Sequence, residues 1–399
     1  RMAVTFVRLV GRWGVAGDRS RYHSNLPVRE FAMSNVVFIL GAGASRQAGA
    51  PLMANFLDVA SDLLLTNQVT AKQDDFKRVF SAIGGLQTVH SKAQLDLNNI
   101  ESIFTALELG RIIQRVPGME TSDIPNAIAS LKEVIVKTLE VTIGFPTLGS
   151  RIGAPEPYEA FANLVKYLRT NAFPEKTVAV LSFNYDICAD MALYRAGLVP
   201  SYQIDDAPHP HDAVDLLKLH GSLNWATETG TRRIRPLHLH HYLQNYTIHG
   251  IEGYSKVQLP IGSQLVEYFS RHATPAVEVE AEPVIVPPSW NKADYHQALS
   301  NVWANAARHL AEAESIFIIG YSLPETDSFF RHLYALGSVG TSTLRRIIVF
   351  NPDDSGEIDS RFRALLGPGS TARYEYRALT FGQSIDHIRE LFPERHWIQ

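Results

Sequence analysis

Runs of consecutive apolar residues along the chain predict strands that are buried on both faces of a sheet. The first is Val36–Leu40, in which five apolar residues follow one another and three are β-branched. Similar runs, separated by stretches of helical spacing, recur to the end of the chain. They predict strands at Val178–Leu181, Leu216–Leu219, Val284–Val286, Ile316–Ile319 and Ile347–Phe350, and near Arg373–Arg377.

Helical periodicity between these runs completes the pattern. It predicts helices at Ile187–Ala196, Ala293–Ala313 and Thr326–Leu336, and another after Gln383. Strands that alternate with helices, each strand ending in a polar or glycine-rich loop, are typical of parallel sheets. We therefore predict an α/β fold with a Rossmann-like, doubly wound parallel sheet.

Two stretches interrupt this alternation. Between Leu52 and Leu168 apolar residues recur at spacings of three and four, which is too much helix for one crossover. We therefore expect an inserted helical subdomain over about 52–170. An irregular insertion is expected over about 226–282, and both lie within one domain that spans 33–399.

Residues 1–32 differ in character from the rest of the chain. They hold six arginines and two acids, and glycines and Pro27 interrupt any long periodic element. We favour upstream, non-native sequence, with Met33 as the natural start. An Arg-rich organellar targeting peptide and a disordered arm are the alternatives. In none of these cases do we expect the segment to carry chemistry.

Composition narrows the classes of function. Of the 399 residues, 45% are hydrophobic and 20% are charged, which is ordinary for a soluble globular protein. The net charge of −4 gives no global reason to expect direct binding to nucleic acid or to an anionic membrane. The single cysteine, Cys188, excludes a disulfide framework and a zinc site built on four cysteines. No uninterrupted apolar run is long enough to cross a bilayer, so a cytoplasmic, reducing compartment is the simplest interpretation.

The turn after the first strand has the features of an anion site. It reads Gly41-Ala42-Gly43-Ala44-Ser45, and small residues continue to Gly49. Two glycines at this point allow a sharp turn into a helix and leave backbone N–H groups facing an anion. The alternative is a plain strand–turn–helix whose small residues serve packing. The third glycine of the dehydrogenase fingerprint would be residue 46, which is Arg46, so the loop departs from that pattern.

Four further strand ends carry unusual polar loops. These are Asn184–Asp186, His220–Asn224, Gly320–Ser322 and Asn351–Asp353. Each alone has an ordinary explanation, since Asn and Asp after a strand often form turns or helix caps, and a histidine beside glycine is often structural. Because ligands bind at the carboxyl ends of parallel strands, the fold would bring all five loops to one edge.

These loops together resemble the motifs of sirtuins. The glycine-rich loop with Gly49-Ala50-Pro51 is similar to the nucleotide loop of that family, and Phe183-Asn184-Tyr185-Asp186 resembles its Gln-Asn-Ile-Asp segment. Leu219-His220-Gly221 resembles the catalytic His-Gly, and Gly320-Tyr321-Ser322-Leu323 the late Gly-Thr-Ser-Leu. Asn351-Pro352-Asp353 resembles the strand end that holds the adenosine ribose. The order and spacing agree from about Val36 to Asp353.

One branch of the family is a closer match. Lys218-Leu219-His220-Gly221-Ser222-Leu223-Asn224-Trp225, and Gly320–Pro324 followed by Asp327 and Arg331, resemble the sirtuin-like NADases of bacterial antiphage defence. Deacylating sirtuins carry a zinc ribbon of two Cys-x-x-Cys pairs, which a chain with one cysteine cannot build. Their cofactor loop also carries an arginine shortly after a proline, and no arginine follows the matching Pro51 in this chain. Phe183 stands where they have a glutamine before the catalytic asparagine. The departures count against protein deacylation and leave NAD⁺ binding and cleavage unaffected.

The resemblance implies NAD⁺ as substrate and assigns a role to each loop. Backbone N–H groups of Gly43, Ala44 and Ser45 would bind the pyrophosphate, and Gly41 and Ala42 would belong to the same cofactor-binding loop. Asp186 would bind the nicotinamide amide, Asn184 the nicotinamide ribose or the attacking water, and His220 would act as general base. The adenosine side would be held by Gly320, Ser322, Asn351 and Asp353. No metal is expected.

The predicted function is hydrolysis of NAD⁺ to nicotinamide and ADP-ribose, as an NAD-depleting effector of antiviral (abortive infection) defence. Such an enzyme would be a homo-oligomer held inactive until triggered, with an activating partner such as a defence ATPase or an Argonaute. A protein deacylase or ADP-ribosyltransferase on the same fold is one alternative. A non-catalytic sensor of NAD⁺ or ADP-ribose is another.

Three further features have ordinary interpretations. Glu101 opens a helix, where it would either interact with the helix dipole or lie near the site. The histidines His238, His240 and His241 lack carboxylate or cysteine ligands at metal spacing and are interpreted as a solvated loop. Asp327 and Arg331 lie four residues apart, which predicts an intrahelical ion pair.

Overall fold

The strands and helices alternate as predicted through most of the chain. The computed structural model describes residues 35–88, 95–172, 174–205, 210, 212–246, 254–273, 275–286, 293–324, 327–337 and 343–394. The strands are β1 (Val36–Leu40), β2 (Phe145–Leu148), β3 (Arg151–Ile152), β4 (Val178–Ser182), β5 (Val199–Ser201), β6 (Ala213–Lys218), β7 (Gly221–Ser222), β8 (Trp225–Thr227), β9 (Ile234–Pro236), β10 (Tyr254–Val257), β11 (Val284–Ile285), β12 (Ser315–Ile319), β13 (Arg346–Phe350) and β14 (Tyr374–Arg377).

The helices connect these strands and fill the long stretch between β1 and β4. They are α1 (Ala42–Ser45), α2 (Phe56–Leu65), α3 (Gln73–Gln87), α4 (Ile100–Ile112), α5 (Ile124–Thr142), α6 (Tyr158–Thr170), α7 (Cys188–Arg195), α8 (Leu239–Asn245), α9 (Leu265–Arg271), α10 (Ala293–Glu312), α11 (Ser328–Gly337), α12 (Glu357–Leu365), α13 (Pro368–Thr371) and α14 (Phe381–Glu390).

The central feature is a seven-stranded parallel sheet with the order β14-β13-β12-β1-β4-β6-β5. Strand β1 lies at its centre, paired on both edges with β4 and β12, and all five of its residues are buried. The chain first adds strands on the β4 side and later on the β12 side. The strand order therefore reverses between β1 and β12, which is where ligands bind in such sheets. The α/β fold with a parallel sheet is confirmed.

One strand of the main sheet was missed, and one predicted strand lies outside that sheet. The short strands of the smaller sheets, β2, β3 and β7–β10, were not predicted. Strand β5 was missed because it has three residues, includes Pro200 and lies at the edge of the sheet, where a long apolar run is not required. Strand β11 was predicted as Val284–Val286, but it pairs antiparallel with β7 outside the main sheet. Its short apolar run serves to cover the loop after β6.

The two segments predicted as insertions, about 52–170 and about 226–282, contact each other. Strand β10 from the second interruption pairs antiparallel with β2 from the first. The second interruption also contains the helices α8 and α9, so it is more regular than expected. The division into subdomains remains a prediction, and the expectation for residues 1–32 lies outside the described residues.

In the described part of the chain no single helix is long and apolar enough to span a bilayer. One bent pair, Ala42–Ala48 with Met53–Leu65, passes by length and composition, with a bend of 63°.

Candidate active site

The glycine-rich turn after β1 interlocks with the loop after β12. Gly320 has a φ of +63°, which turns its carbonyl toward the first loop, where it accepts a hydrogen bond of 2.8 Å from the Gly43 N–H. The N–H of Ala44 donates to the Gly41 carbonyl at 2.9 Å. The structure therefore corrects one expectation: the N–H groups of Gly43 and Ala44 have partners inside the protein and do not face an anion.

A cavity of about 860 Å³ opens at this switch point. It is lined by parts of all five predicted loops together with residues from the first interruption. The predicted site residues on its wall are Ala42, Gly43, Ser45, Asn184, Asp186, His220, Gly320, Ser322, Asn351 and Asp353. Gly41 and Ala44 lie behind that wall, where the Gly41 carbonyl accepts from Asn184 at 2.9 Å.

Four side chains form a buried hydrogen-bonded cluster at the floor of the cavity. The Ser45 hydroxyl donates to Asp186 Oδ2 at 2.6 Å and lies 2.7 Å from the Tyr158 hydroxyl. Asn184 Nδ2 donates to Ser45 Oγ at 3.0 Å. Since the single proton of Ser45 goes to Asp186, the Tyr158 hydroxyl donates to Ser45. The cluster thus orients the predicted catalytic side chains Asn184 and Asp186.

Tyr158 was missed by the sequence reasoning. It is the first residue of α6 and is buried beside the edge of the Phe381 ring. Burial, and then the charge of Asp186, raises the pKa of Tyr158 well above its ordinary value, so the phenol keeps its proton. No strand-end pattern marks it, because it reaches the site from a helix.

Asp186 is held at both carboxylate oxygens. Its Oδ2 accepts from Ser45, and its Oδ1 accepts from the Cys188 N–H at 2.9 Å. Asn184, by contrast, uses its amide nitrogen for three protein contacts. Among the described residues no donor contacts Asn184 Oδ1. That oxygen is therefore positioned to accept a hydrogen bond from a ligand or a water.

His220 lies beside a carboxylate that the sequence reasoning assigned elsewhere. Its Nε2 is 3.8 Å from Asp327 Oδ2, and the same oxygen accepts from the Tyr321 hydroxyl at 2.6 Å. Asp327 directly precedes α11, and the spacing to Arg331 did not predict its contacts with His220 and Tyr321. Burial, and then the charge of Asp327, raises the pKa of Tyr321, which therefore stays protonated and donates.

The loop that carries His220 is locked from behind by β11. Gly221 has a φ of +86°, and a Cβ there would lie 2.0 Å from the Val284 carbonyl oxygen. The Val286 N–H donates to the His220 carbonyl at 2.8 Å. The edge of the Phe183 ring packs against the imidazole at 5.1 Å. This packing fixes the direction of the imidazole toward the cavity.

Further polar side chains on the cavity wall include Asp353 and two arginines, Arg361 and Arg46. Asp353 accepts from the Ser355 hydroxyl at 2.7 Å, which lowers its pKa, and its N–H donates to Asn351 Oδ1 at 3.2 Å. Arg361 donates to the Ser322 carbonyl at 3.4 Å. Arg46 also lines the wall and makes no ion pair within the described residues. Neither guanidinium was assigned a role from the sequence.

Glu101 satisfies both of its predicted interpretations. It lies in the first turn of α4, where its N–H donates to the capping side chain of Asn99 at 2.9 Å. It also lines the cavity, close enough for its charge to raise the pKa of Tyr321. The helical stretch between β1 and β4 therefore contributes an acid to the site.

The three histidines of the second interruption cluster at the start of α8. His240 and His241 have ring centroids 3.7 Å apart, and His238 stacks on Tyr202 at 5.5 Å. No group of three or more His, Cys, Asp or Glu within the described ranges has the geometry to hold a metal ion. His240 and His241 are exposed, as expected, whereas His238 is half-buried against Tyr202, and the patch lies at the start of a helix rather than in a loop.

Acid should destabilise the protein through His238. Burial, followed by the charges of His240 and His241, lowers its pKa from 6.5, although Asp190 and Asp205 act in the opposite direction. The unfolded chain then binds more protons below the ordinary pKa, so stability present above about pH 6.5 is lost as the pH falls. We expect the drop in Tm from neutral pH to pH ~5 to be smaller in His238→Phe, which keeps the aromatic stack. An equal drop in both proteins would refute this.

Comparison with solved structures finds Sir2 homologues. A Sir2 homologue solved in complex with NAD is 14% identical, with a TM-score of 0.37 over 90% of this chain and 91% of that chain. Sir2Tm bound to a propionylated peptide is 13% identical, with a TM-score of 0.36 over 90% and 94%. Neither a protein-family model nor a curated protein matches the chain. At these identities and TM-scores the similarity carries no inference about function, which rests on the cavity.

Proposed function

We propose that this protein is a sirtuin-like NAD⁺ glycohydrolase that cleaves NAD⁺ to nicotinamide and ADP-ribose. The observation that carries the proposal is the single cavity in which the glycine-rich loop, Asn184, Asp186 and His220 meet the loops of Gly320 and Asn351. Its volume of about 860 Å³ lies in the upper part of the range of about 300–1,000 Å³ that is typical of small-molecule and cofactor sites. A dinucleotide spanning the switch point would touch all of these groups.

The reaction breaks the bond between C1′ of ribose and the pyridinium nitrogen. The electron pair of this bond leaves with nicotinamide, which becomes neutral, and the positive charge passes to an oxocarbenium-like ribose. Water attacks C1′ and loses a proton to His220, a residue whose ordinary pKa lies near neutral pH. The carboxylates of Asp186, Asp327 and Glu101 give this end of the cavity the negative charge that stabilises such a cation.

Asn184 and Asp186 orient the substrate in this proposal. The amide oxygen of Asn184 accepts a hydrogen bond from the nicotinamide ribose or from the attacking water, since its nitrogen is already held by the protein. Asp186 accepts from the nicotinamide amide with the lone pairs left after its two internal bonds. Ser322, Asn351 and Asp353 would contact the adenosine half.

Arg46 is our candidate for the diphosphate. Since the Gly43 and Ala44 N–H groups have internal partners, a guanidinium on the cavity wall supplies the donors that the loop lacks. We expect Arg46→Ala to weaken ADP-ribose binding by about tenfold, because a hydrogen bond to a charged group contributes ~1.5 kcal/mol or more. Calorimetric titration with ADP-ribose measures this. Arg46→Lys should recover part of the affinity, and an unchanged Kd in Arg46→Ala would remove the residue from the site.

We propose water, rather than an acylated lysine, as the acceptor. The single cysteine is fully buried in α7, so a four-cysteine ribbon that would support a peptide groove is missing from the sequence. Nicotinamide release should therefore be the same with and without an acetyl-lysine peptide, and no deacetylated peptide should form. A release rate that depends on the peptide would favour the deacylase alternative. Tight NAD⁺ binding without release would favour a sensor.

The resemblance of the sequence motifs to antiphage NADases also suggests a biological role. We propose an NAD-depleting effector of antiviral defence that acts in the cytoplasm as a homo-oligomer. Because unrestrained depletion of NAD⁺ would kill the host, a partner protein, such as a defence ATPase or an Argonaute, would gate the activity. Measuring NAD⁺ loss after adding candidate partners to the purified protein tests this.

A further inference from the structure

A closed ring of five buried polar side chains lies directly behind the candidate active site. Lys218, the last residue of β6, donates to Asp190 Oδ2 at 3.1 Å and to the Ser222 hydroxyl. Ser222 donates to Asn224 Oδ1 at 2.5 Å, and Asn224 Nδ2 donates to the Tyr202 hydroxyl at 2.9 Å. Tyr202 closes the ring by donating to Asp190 Oδ1 at 2.5 Å.

The direction of these bonds is consistent around the ring. Both branches start at the ammonium group of Lys218 and end at the carboxylate of Asp190, so no donor faces another donor. Lys218 has only 1% of its surface exposed and Asp190 has none. A buried ammonium and a buried carboxylate are tolerated only when paired and fully hydrogen-bonded, and the ring meets both conditions.

The third donor of Lys218 reaches the active site. It goes to the main-chain carbonyl of Asp186, whose side chain faces the cavity. Lys218 and Ser222 also flank His220 two residues on either side, so the ring holds the loop of His220 at both ends. One ammonium group therefore joins the two loops that carry Asp186 and His220.

We propose that Lys218, held by Asp190, is a positioning residue that sets the placement of His220 relative to Asp186. The sequence of the loop contains Lys218, Ser222 and Asn224 around the histidine, and the proposed chemistry gives none of them contact with substrate. Their mutual bonds supply the reason for their presence. The effect on kcat rests on the proposed NAD⁺ hydrolysis. The effect on the position of the His220 ring does not depend on that reaction.

The test compares Lys218→Met with a matched variant on the same strand. Asp215→Asn breaks the pair between Asp215 and His309 Nε2, which are 2.8 Å apart and do not line the cavity. Three properties are measured in each protein: the Tm, the ¹³Cε1–¹H resonance of His220 in histidine-labelled protein, and kcat and KM for NAD⁺. The resonance is assigned by its loss in His220→Gln.

Both variants should lower the Tm, because Lys218→Met removes one partner of a buried ion pair and Asp215→Asn weakens a partly buried one. Only Lys218→Met should shift the His220 resonance, and it should lower kcat by about 100-fold with little change in KM, as expected for misplacement by about 1 Å. Asp190→Asn keeps the shape of the side chain and should shift the same resonance. If Lys218→Met does not fold, this variant tests the inference in its place.

Two results would overturn the inference. One is a folded Lys218→Met or Asp190→Asn whose His220 resonance matches that of the unchanged protein. The other is an equal shift of that resonance in Asp215→Asn, which would mean that any loss of stability disturbs the loop. A native protein that releases no nicotinamide from NAD⁺, with or without the candidate activating partners, would refute the proposed function, and the resonance would still decide the role of Lys218.

Discussion

Replacing His220 by alanine should lower the rate of nicotinamide release from NAD⁺ by about 10²- to 10⁴-fold, the usual contribution of a general base. The affinity for ADP-ribose should change little, because the imidazole acts on the attacking water rather than on the diphosphate or adenosine. The structure supports this separation: His220 lies at the acidic end of the cavity, beside Asp327. Single-turnover kinetics and calorimetry measure the two effects independently.

Matched variants make the His220 result specific. Asn184→Ala should cause a loss of rate similar in direction, since the amide orients the ribose or the water. His272→Ala removes an exposed histidine that does not line the cavity and should leave the rate unchanged. If His220→Ala retained the full rate, water would have to be activated by another group, and Asp186 would become the first candidate.

Substitution of Gly320 by alanine should damage both the fold and nucleotide binding. Its φ of +63° is unfavourable for alanine, and the added Cβ would lie 2.3 Å from the Ala44 nitrogen, where backbone cannot easily move. Strain and collision together should cost about 3 kcal/mol or more, which lowers the Tm by roughly 4 °C or more in a protein of this size. Binding of ADP-ribose should weaken as the loop is displaced.

A second glycine separates the two causes. Gly197 has a φ of +78°, and a Cβ there meets nothing within 4 Å. Gly197→Ala should therefore show the backbone strain alone, with a smaller fall in Tm and unchanged ADP-ribose binding. Equal behaviour of the two variants in both measurements would show that the contact between the loops of Gly43 and Gly320 is not required for the site.

The sheet could be predicted from sequence because its strands are buried on both faces. Such strands must be apolar at every position, so β1, β4, β12 and β13 stand out as runs. Edge strands carry no such requirement, which is why β5 was missed. The two residues of β11 were recognised as a strand, but apolar content alone does not reveal which partner a strand pairs with.

The site could be predicted only as far as strand ends reveal it. The strand-end loops with Asn184, His220 and Asn351 follow from the rule that ligands bind at carboxyl ends of strands. Tyr158 is 113 positions from Ser45 and comes from a helix, so no local pattern links them. Gly320 has a positive φ, and its carbonyl accepts the hydrogen bond of the Gly43 N–H. This contact joins two loops that are distant in sequence, so no local pattern reveals it. For Asp327, the local spacing to Arg331 gave no sign of the contacts with His220 and Tyr321, which come from other loops.

The most direct test is to incubate the purified protein with NAD⁺ and separate the products by chromatography, with and without candidate activating partners. The account predicts nicotinamide and ADP-ribose in equal amounts, and almost none of either with His220→Ala or Asn184→Ala. Equal release by all three proteins would contradict the assignment of the site. Failure of the native protein to bind or cleave NAD⁺ in any of these conditions would contradict the proposed function itself.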